Sequence, residues 1–102
     1  IYIPTDNTAA SCSETIGNIV REKKVPVVAG EQGICAGCGV ATLSISYYDL
    51  GVKTGEMAAK ILKGEEKISE MPVEYATATK MYNPAICEEL GITVPEGYTA
   101  IE

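Results

Sequence analysis

The sequence predicts an α/β fold in which a mostly parallel sheet is flanked on both faces by helices, in a three-layer αβα arrangement. Short apolar segments typical of buried strands alternate with longer segments whose apolar residues recur every three or four positions. Helix-capping residue types or glycines stand directly after several of the strand segments. This alternation is typical of parallel strands, because each needs a crossover connection to reach the next one. The predicted order is β-α-β-loop-β-α-β-α.

The first third of the chain predicts two strands around one helix. Residues 1–4 form the first strand, and residues 5–8 are capping types that predict a helix start. The helix should end before Pro26, because a residue that precedes proline is disfavoured in the α region. Residues 25–29 form the second strand, which Gly30 ends. The apolar face of the helix is predicted to be Ala9, Cys12, Ile16, Ile19 and Val20, with Cys12 as a small core residue.

The middle of the chain predicts a loop, a strand and a long helix. Residues 31–39 hold three glycines and two cysteines and predict a loop, whereas residues 40–46 alternate apolar and small polar side chains like a strand. The helix after them should end near Gly64, a typical left-handed C-terminal cap. Glu56 and Lys60 have the favourable i,i+4 order. Gly51 and Gly55 would admit a closely packed neighbour, and Tyr47 and Tyr48 should pack structurally.

The last third predicts a strand and a short helix. Residues 73–82 are rich in Thr, Tyr and Val and follow Pro72, which favours a strand. Asn83 and Pro84 predict a helix start, because asparagine caps well and proline fits the first turn. Gly91 should end that helix.

Composition excludes several classes of function. A chain of 102 residues corresponds to one small domain or a piece of a larger one. A formal charge of -6 disfavours nucleic acid and anionic membrane surfaces as partners. With no histidine, Ser-His-Asp and Cys-His catalysis are both impossible within this chain. No apolar run approaches the ~20 residues that span a bilayer. These observations argue against histidine-based catalysis, and we expect no catalytic residues, metal or cofactor in this chain.

The candidate ligand-binding residues follow from the predicted sheet, because ligands of such sheets bind beyond the carboxyl ends of the strands. Asp6 would pair with a ligand ammonium, and the adjoining helix start would favour a ligand carboxylate. The alternative is that Thr5 or Asp6 only caps the helix. Glu31 would contact an amine or hydroxyl group of the ligand, or lie in solvent. The complete predicted set is Thr5, Asp6, Asn7, Gly30, Glu31 and, more weakly, Ser46.

Several runs resemble the ABC-transporter substrate-binding proteins that include tryptophan- and tyrosine-binding lipoproteins. They are residues 2–8 (YIPTDNT), 25–31 (VPVVAGE), 39–42 (GVAT), 47–51 (YYDLG), 54–65 (TGEMAAKILKGE) and 90–95 (LGITVP), with Asn83 before the last. The likeness covers nearly the whole chain, and the motifs occur in the family's order. The sequence differs from the family pattern in the loop at 34–39, because the family usually has no cysteines there.

The resemblance implies a type I periplasmic-binding fold, in which two lobes joined by a hinge close on a small molecule. It implies a C-terminal fragment of a protein about three times longer, with residues 1–46 mainly in the C-terminal lobe and 47–102 crossing back to the other lobe. It also implies an importer component that delivers an amino acid, aromatic ones favoured, to a membrane permease. The protein would lie outside the cytoplasmic membrane or in the periplasm, lipid-anchored through a segment missing here. Self-association of the fragment is left open by the sequence.

Two other functions stay open from the sequence. The effector domain of a transcription regulator shares this fold. A thiol or metal protein would use Cys35 and Cys38, but a zinc site normally needs two such pairs and a redox motif needs a helix starting at the first cysteine. The simpler interpretation is a local disulfide or free thiols in an exposed loop.

Overall fold

A computed structural model describes residues 1–101 of the chain. The chain divides into two compact units, which are described separately. The first contains residues 1–44 together with the chain from Thr79 onward, and the second contains residues 45–78. The expected assignment of residues 1–46 mainly to the C-terminal lobe and of residues 47–102 to a crossing back to the other lobe stays a prediction.

The sheet has five strands in sequence order, and every neighbouring pair whose register is defined here is parallel. The parallel α/β prediction is therefore confirmed. Tyr2 and Ile3 pair with Val28 and Ala29, which pair in turn with Ala41 and Thr42. The strands are β1 (Tyr2–Ile3), β2 (Val28–Ala29), β3 (Ala41–Ile45), β4 (Ala78–Tyr82) and β5 (Thr99–Ala100). The last strand was not predicted.

Within the described residues, five α-helices connect the strands. They are α1 (Asn7–Ser11), α2 (Ser13–Glu22), α3 (Gln32–Cys38), α4 (Tyr47–Leu62) and α5 (Pro84–Leu90), with a 3₁₀ turn at Ile68–Glu70. The caps predicted at Asn83 and Gly91 are confirmed: Asn83 Oδ1 accepts a hydrogen bond from Ile86 N at 3.2 Å, and Gly91 has a φ of 69°. Gly64, with a φ of 74°, follows α4 as predicted. No helix among residues 1–101 is both long enough and apolar enough to cross a bilayer.

Two small apolar clusters form the core of the first unit. One contains Val20, Val27, Ala29, Ile34, Cys35 and Cys38, and the other contains Val40, Ile86 and Cys87. Asn83 links α3 to α5, because its side-chain amide donates to the carbonyl oxygens of Cys35 (3.2 Å) and Ala36 (3.1 Å). On one face of the sheet, Tyr2, Val28 and Leu43 remain exposed.

The first predicted helix is broken in two, and this corrects the prediction for Cys12. Cys12 lies at the break between α1 and α2 with a φ of −111° and is exposed. The prediction that it is a core residue is wrong. Ile19, also assigned to the buried face, is 60% exposed, whereas Val20 is buried. The periodicity correctly predicted helical structure, and Ala9, Ile16 and Val20 do contact the core. Cys12 and Ile19 do not face it.

The predicted glycine-rich loop at 31–39 is instead largely helix α3, and this corrects the interpretation of the cysteines. Cys35 and Cys38 are buried and free, so neither an exposed loop nor a local disulfide is present. The glycines permit close packing of α3 on α2: a Cβ on Gly17 would lie 2.3 Å from Gly37 O, and one on Gly37 would lie 2.3 Å from Ser13 Oγ. Gly37, one of the three glycines that suggested a loop, is therefore required for the contact between α2 and α3.

The second unit consists of α4, the 3₁₀ turn and an extended segment. Three ion pairs lie within it: Lys53–Glu74 at 2.9 Å, Lys60–Glu66 at 3.0 Å and Lys67–Glu70 at 3.5 Å. Glu66 is the main cause of the raised pKa of Lys60, and Glu56, its predicted partner, contributes less. No residue of α4 is buried.

Three further predictions about this region are not met in the described chain. Tyr47 and Tyr48, expected to pack, are 60% and 80% exposed. A Cβ on Gly51 or Gly55 would meet nothing within 4 Å. The strand predicted at 73–82 begins only at Ala78.

Candidate ligand-binding site

The carboxyl ends of β1 and β2 meet at Thr5 and Gly30. Gly30 N donates to Ile3 O at 2.8 Å, and Thr5 Oγ1 donates to Gly30 O at 3.2 Å. A Cβ added to Gly30 would lie 2.6 Å from Thr5 N and 2.9 Å from Pro4 C, closer than real Cβ atoms approach. Glycine is therefore required here by the close approach of two backbones. The structure brings these two predicted site residues into direct contact.

Asp6 follows Thr5 and caps α1. Its backbone is extended, with φ −148° and ψ 129°, and its Oδ1 accepts a hydrogen bond from Ala9 N at 2.8 Å. The capping interpretation is thus confirmed, and it leaves Oδ2 without a hydrogen bond or ion pair among residues 1–101. Asp6 and Asn7 are both exposed at this edge of the sheet. One carboxylate oxygen is available to a ligand while the other holds the helix.

Helix α1 is shorter than the sequence suggested. It ends after five residues, whereas the predicted helix continued to the segment before Pro26. Because the macrodipole grows by alignment of successive peptide units, a helix of one and a half turns attracts an anion less than a long helix does. The predicted attraction for a ligand carboxylate is weakened accordingly.

Glu31 caps α3, which the sequence prediction missed. Its Oε2 accepts a hydrogen bond from Gly33 N at 2.8 Å, and its Oε1 accepts one from Ile34 N. The side chain is only partly exposed and is held against the helix, so it does not extend into solvent as the alternative interpretation had it. Both carboxylate oxygens already accept backbone hydrogen bonds.

A serine that the sequence prediction did not include supports the same edge. Ser44, on β3, is 4% exposed, and its Oγ accepts a hydrogen bond from Gln32 N at 3.2 Å. This bond joins the carboxyl end of β3 to the start of α3. The alternation of residues 40–46 placed Ser44 on a strand face, but nothing in the sequence showed its partner.

Ser46, the weakest of the predicted site residues, belongs to the second unit. It is exposed and caps α4, where its Oγ accepts a hydrogen bond from Asp49 N at 3.1 Å. Asp6, Glu31 and Ser46 therefore share one arrangement: the side chain of each caps the N-terminus of the helix that follows a strand. Thr5, Asp6, Gly30 and Glu31 lie together in the first unit.

The buried cysteines are poorly suited to thiol chemistry. Burial, with smaller contributions from Cys87, Cys38 and Glu31, raises the pKa of Cys35 from 9.0 to about 12. Burial also raises the pKa of Cys38 and of Cys87. Because the thiolate is the reactive form, these thiols are unreactive near neutral pH. Among residues 1–101, no three side chains of the metal-binding types come together.

Comparisons with a family model and with a curated relative both point to substrate-binding proteins. The family model described as ABC transporter substrate binding protein matches residues 1–100. A curated relative, the tyrosine-binding protein of Clostridioides difficile strain R20291, is 32% identical over 81 residues, which are 79% of this chain and 23% of that protein.

Solved structures of similar proteins agree with the fold. A ligand-free, open structure of a substrate-binding protein with adhesive properties from Clostridium difficile is 39% identical and has a TM-score of 0.79. An ABC domain in complex with L-Trp from Streptococcus pneumonia is 35% identical, with a TM-score of 0.79, and a conserved domain protein from Vibrio cholerae is 30% identical, with a TM-score of 0.80. Each match covers 99–100% of this chain but only 35–36% of the solved chain. The chain thus spans about a third of these structures.

Proposed function

The chain belongs to the family of ABC transporter substrate-binding proteins, and on that premise we propose that it forms part of a two-lobed solute-binding protein that holds a small molecule, an amino acid. The observation that carries the proposal is the family match over residues 1–100. The relative named for tyrosine and the neighbour solved with L-Trp favour an aromatic amino acid as the ligand. The bound molecule would pass unchanged to a membrane permease, without bond chemistry.

The carboxyl edge of the first unit supports this proposal. Thr5, Asp6, Gly30 and Glu31 lie where ligands of parallel sheets bind. The ends of β1 and β2 are fixed by the Thr5–Gly30 contact, so the polar groups around them are held in place before a ligand arrives. Such preorganisation reduces the ordering cost of binding. We assign Thr5, Asp6 and Asn7 as the principal ligand contacts, with Gly30, Glu31 and Ser46 as further ones.

The second unit supports a two-lobed protein. Although α4 is sixteen residues long, none of its residues is buried, and Tyr48 and Leu62 are 80% and 87% exposed. A surface with large exposed apolar side chains is typical of a region that packs against another part of the protein or against a partner. We propose that residues 45–78 cross to the other lobe and that α4 packs there on sequence outside this chain. We further propose an extracytoplasmic location with a lipid anchor outside this chain.

A thermal-stability screen of the two-lobed protein tests the proposed ligand class. At a ligand concentration of a hundred times Kd, a ligand that binds only the folded state stabilises it by about 2.7 kcal/mol. We expect L-tyrosine, L-tryptophan or L-phenylalanine to raise Tm by several degrees, and sugars and nucleosides to leave it unchanged. Stabilisation by a sugar or nucleoside alone would contradict the amino-acid assignment.

A further inference from the structure

Residues 71–77, in the second unit, form an extended segment that pairs with no strand among the described residues. The segment contains no turn or bend, and Met71 at its start has a φ of −72° and a ψ of 131°. Strand β4 begins only after it, at Ala78. The segment therefore has the extended course of a strand without the ladder of hydrogen bonds that joins a strand to a sheet.

The side chains of this segment alternate in exposure. Glu74 forms an ion pair with Lys53 of α4 at 2.9 Å and its side chain is 38% exposed, and Ala76 is partly buried. Val73 and Tyr75, at the alternate positions, are each 78% exposed. An alternation of period two is the pattern of a β-strand that packs one of its faces on a helix. Valine and tyrosine are also residue types that favour strands.

The backbone of residues 73–76 is open to pairing. Within the part of the chain that the structure describes, none of its N–H or C=O groups forms a hydrogen bond. An extended backbone presents these groups along its two edges, where a neighbouring strand meets them at a spacing of about 4.8 Å. Water satisfies such groups when they are exposed, but an open strand edge is also a template for pairing with another extended segment.

The segment lacks the features that protect an exposed strand edge from pairing. Proteins protect such edges with charged side chains, with proline or with a bulge. Pro72 comes before residues 73–76, and their one charged side chain, Glu74, is held in its ion pair with α4. The most exposed side chains are instead Val73 and Tyr75. An edge of this composition is typical of a strand that is paired in the assembled protein.

Helix α4 is wide enough to cover a second strand beside this segment. A helix with its side chains is about 10–12 Å across, whereas neighbouring strands lie about 4.8 Å apart, so one helix covers about two strands. Here α4 packs on a single extended segment. Its side chains Tyr48, Val52 and Leu62 remain 80%, 45% and 87% exposed. The unit thus leaves apolar helix surface uncovered next to an unpaired backbone.

We propose that residues 73–76 form a β-strand that pairs with a strand of the same protein outside this chain. The proposal rests on the proposed function, because the chain spans about a third of the solved structures it matches and the remaining sequence would supply the partner strand. A strand of the same polypeptide avoids most of the loss of translational and rotational freedom that an association of two molecules costs. The sequence signal for a strand from Val73 onward then reflects a partner that this chain does not contain.

Amide hydrogen exchange of the two-lobed protein, read by NMR, tests the pairing residue by residue. Pairing along one edge bonds every second amide of residues 73–76, and pairing along both edges bonds all four. We expect the amides of Val73 and Tyr75, or those of Glu74 and Ala76, or all four, to exchange on the order of 100-fold more slowly than an unprotected amide. The exposed Lys67, whose N–H makes no hydrogen bond within the described residues, is the reference.

Proline substitutions check the exchange result, because proline has no N–H to donate to a ladder. Tyr75→Pro and Ala76→Pro remove adjacent amides, which point to opposite edges of the segment. We expect a variant at a slowly exchanging amide to lower the Tm of the two-lobed protein by several degrees. A variant at a rapidly exchanging amide is its matched control and should lower Tm less, and Tyr75→Ala separates loss of the ring from loss of the N–H.

Two results would overturn the proposal. One is exchange of all four amides as fast as that of Lys67. The other is slow exchange that appears only as the protein concentration rises, which would assign the pairing to a second copy of the chain. Amino-acid binding by a protein with fast-exchanging amides would leave the proposed function standing. Slow exchange in a protein that binds no amino acid would instead overturn the proposed function, so the two failures are distinguishable.

Discussion

Thr5 and Gly30 are separated by 25 positions in the sequence, yet a Cβ on Gly30 would lie 2.6 Å from Thr5 N. This contact joins the ends of two parallel strands at the edge where the proposed ligand binds. We therefore expect Gly30→Ala to force the two strand ends apart. Overpacking of this kind destabilises a protein by roughly 1–3 kcal/mol.

Urea unfolding of the variant checks the expected loss. Gly51→Ala is the control, because a Cβ there meets nothing within 4 Å and the position is inside α4. Alanine is the better helix former by roughly 0.5–1 kcal/mol, so the control should be neutral or stabilised. A Gly30→Ala variant as stable as the wild type would contradict the close approach.

Asp6 makes a prediction about stability that is independent of ligand. Asp6→Ala removes the cap of α1 and should lower the free energy of unfolding by about 1 kcal/mol, whereas Asp6→Asn should change it by a few tenths at most. Chemical denaturation of the ligand-free protein measures both. Equal losses in the two variants would show that the negative charge, and not the hydrogen bond to Ala9 N, stabilises the helix start.

Asn83 provides a test of how α3 is held. Its side chain makes hydrogen bonds to Cys35 O, Ala36 O and Ile86 N and is 8% exposed. Asn83→Ala leaves these buried groups unpaired, so it should destabilise the fold by about 2–3 kcal/mol. The control Asn18→Ala removes an exposed side chain whose Oδ1 accepts a hydrogen bond from Arg21, and should change stability by about 0.5 kcal/mol or less. Equal denaturation midpoints for the two variants would be inconsistent with the buried network.

Cys35 predicts how stability depends on pH. Because burial raises its pKa to about 12, the folded state keeps a proton that the unfolded state loses near pH 9. Its contribution to stability is therefore complete below pH 9 and is lost as the pH rises toward 12, at about 1.4 kcal/mol per pH unit. Cys35→Ala should have a shallower decline across this window. If the free energy of unfolding fell equally with pH in the wild type and in Cys35→Ala, the raised pKa of Cys35 would not be the cause of the decline.

The four cysteines also predict a pattern of labelling. Cys12 is exposed, whereas Cys35, Cys38 and Cys87 are buried. A maleimide reagent at neutral pH should modify one thiol of the folded chain rapidly, and Cys12→Ser should abolish that fast phase. Rapid labelling of a second thiol would show that α3, which carries Cys35 and Cys38, or α5, which carries Cys87, opens in the native state.

The elements that the sequence predicted well are those whose signals are local. Asn83 with Pro84 and the glycine at position 91 mark both ends of α5, and the alternation at 40–46 marks β3. These features depend on backbone preferences of a few adjacent residues, which tertiary contacts did not override here. The same holds for the cap at Asp6.

Helix α3 was missed because its local signals disagree with its tertiary role. Glutamate is not among the preferred N-cap residues, and glycines lower helix propensity, so residues 31–39 favoured a loop. The spacing of Ile34, Cys35 and Cys38 at i, i+1 and i+4 was the available helical signal. The need for Gly37 beside Ser13 is a long-range contact that no local pattern contains. The ligand-binding edge itself stays a prediction. The cap at Glu31 and the hydrogen bond from Gln32 N to Ser44 Oγ were not predicted.

Titration calorimetry of the two-lobed protein with L-tyrosine and L-tryptophan tests the central claim most directly. We expect saturable binding of at least one of them at a stoichiometry of one ligand per chain, and no heat with sugars or nucleosides at the same concentrations. Absence of binding by every amino acid tested, or saturable binding of a sugar or nucleoside instead, would contradict an amino-acid site at the edge formed by Thr5, Asp6 and Gly30.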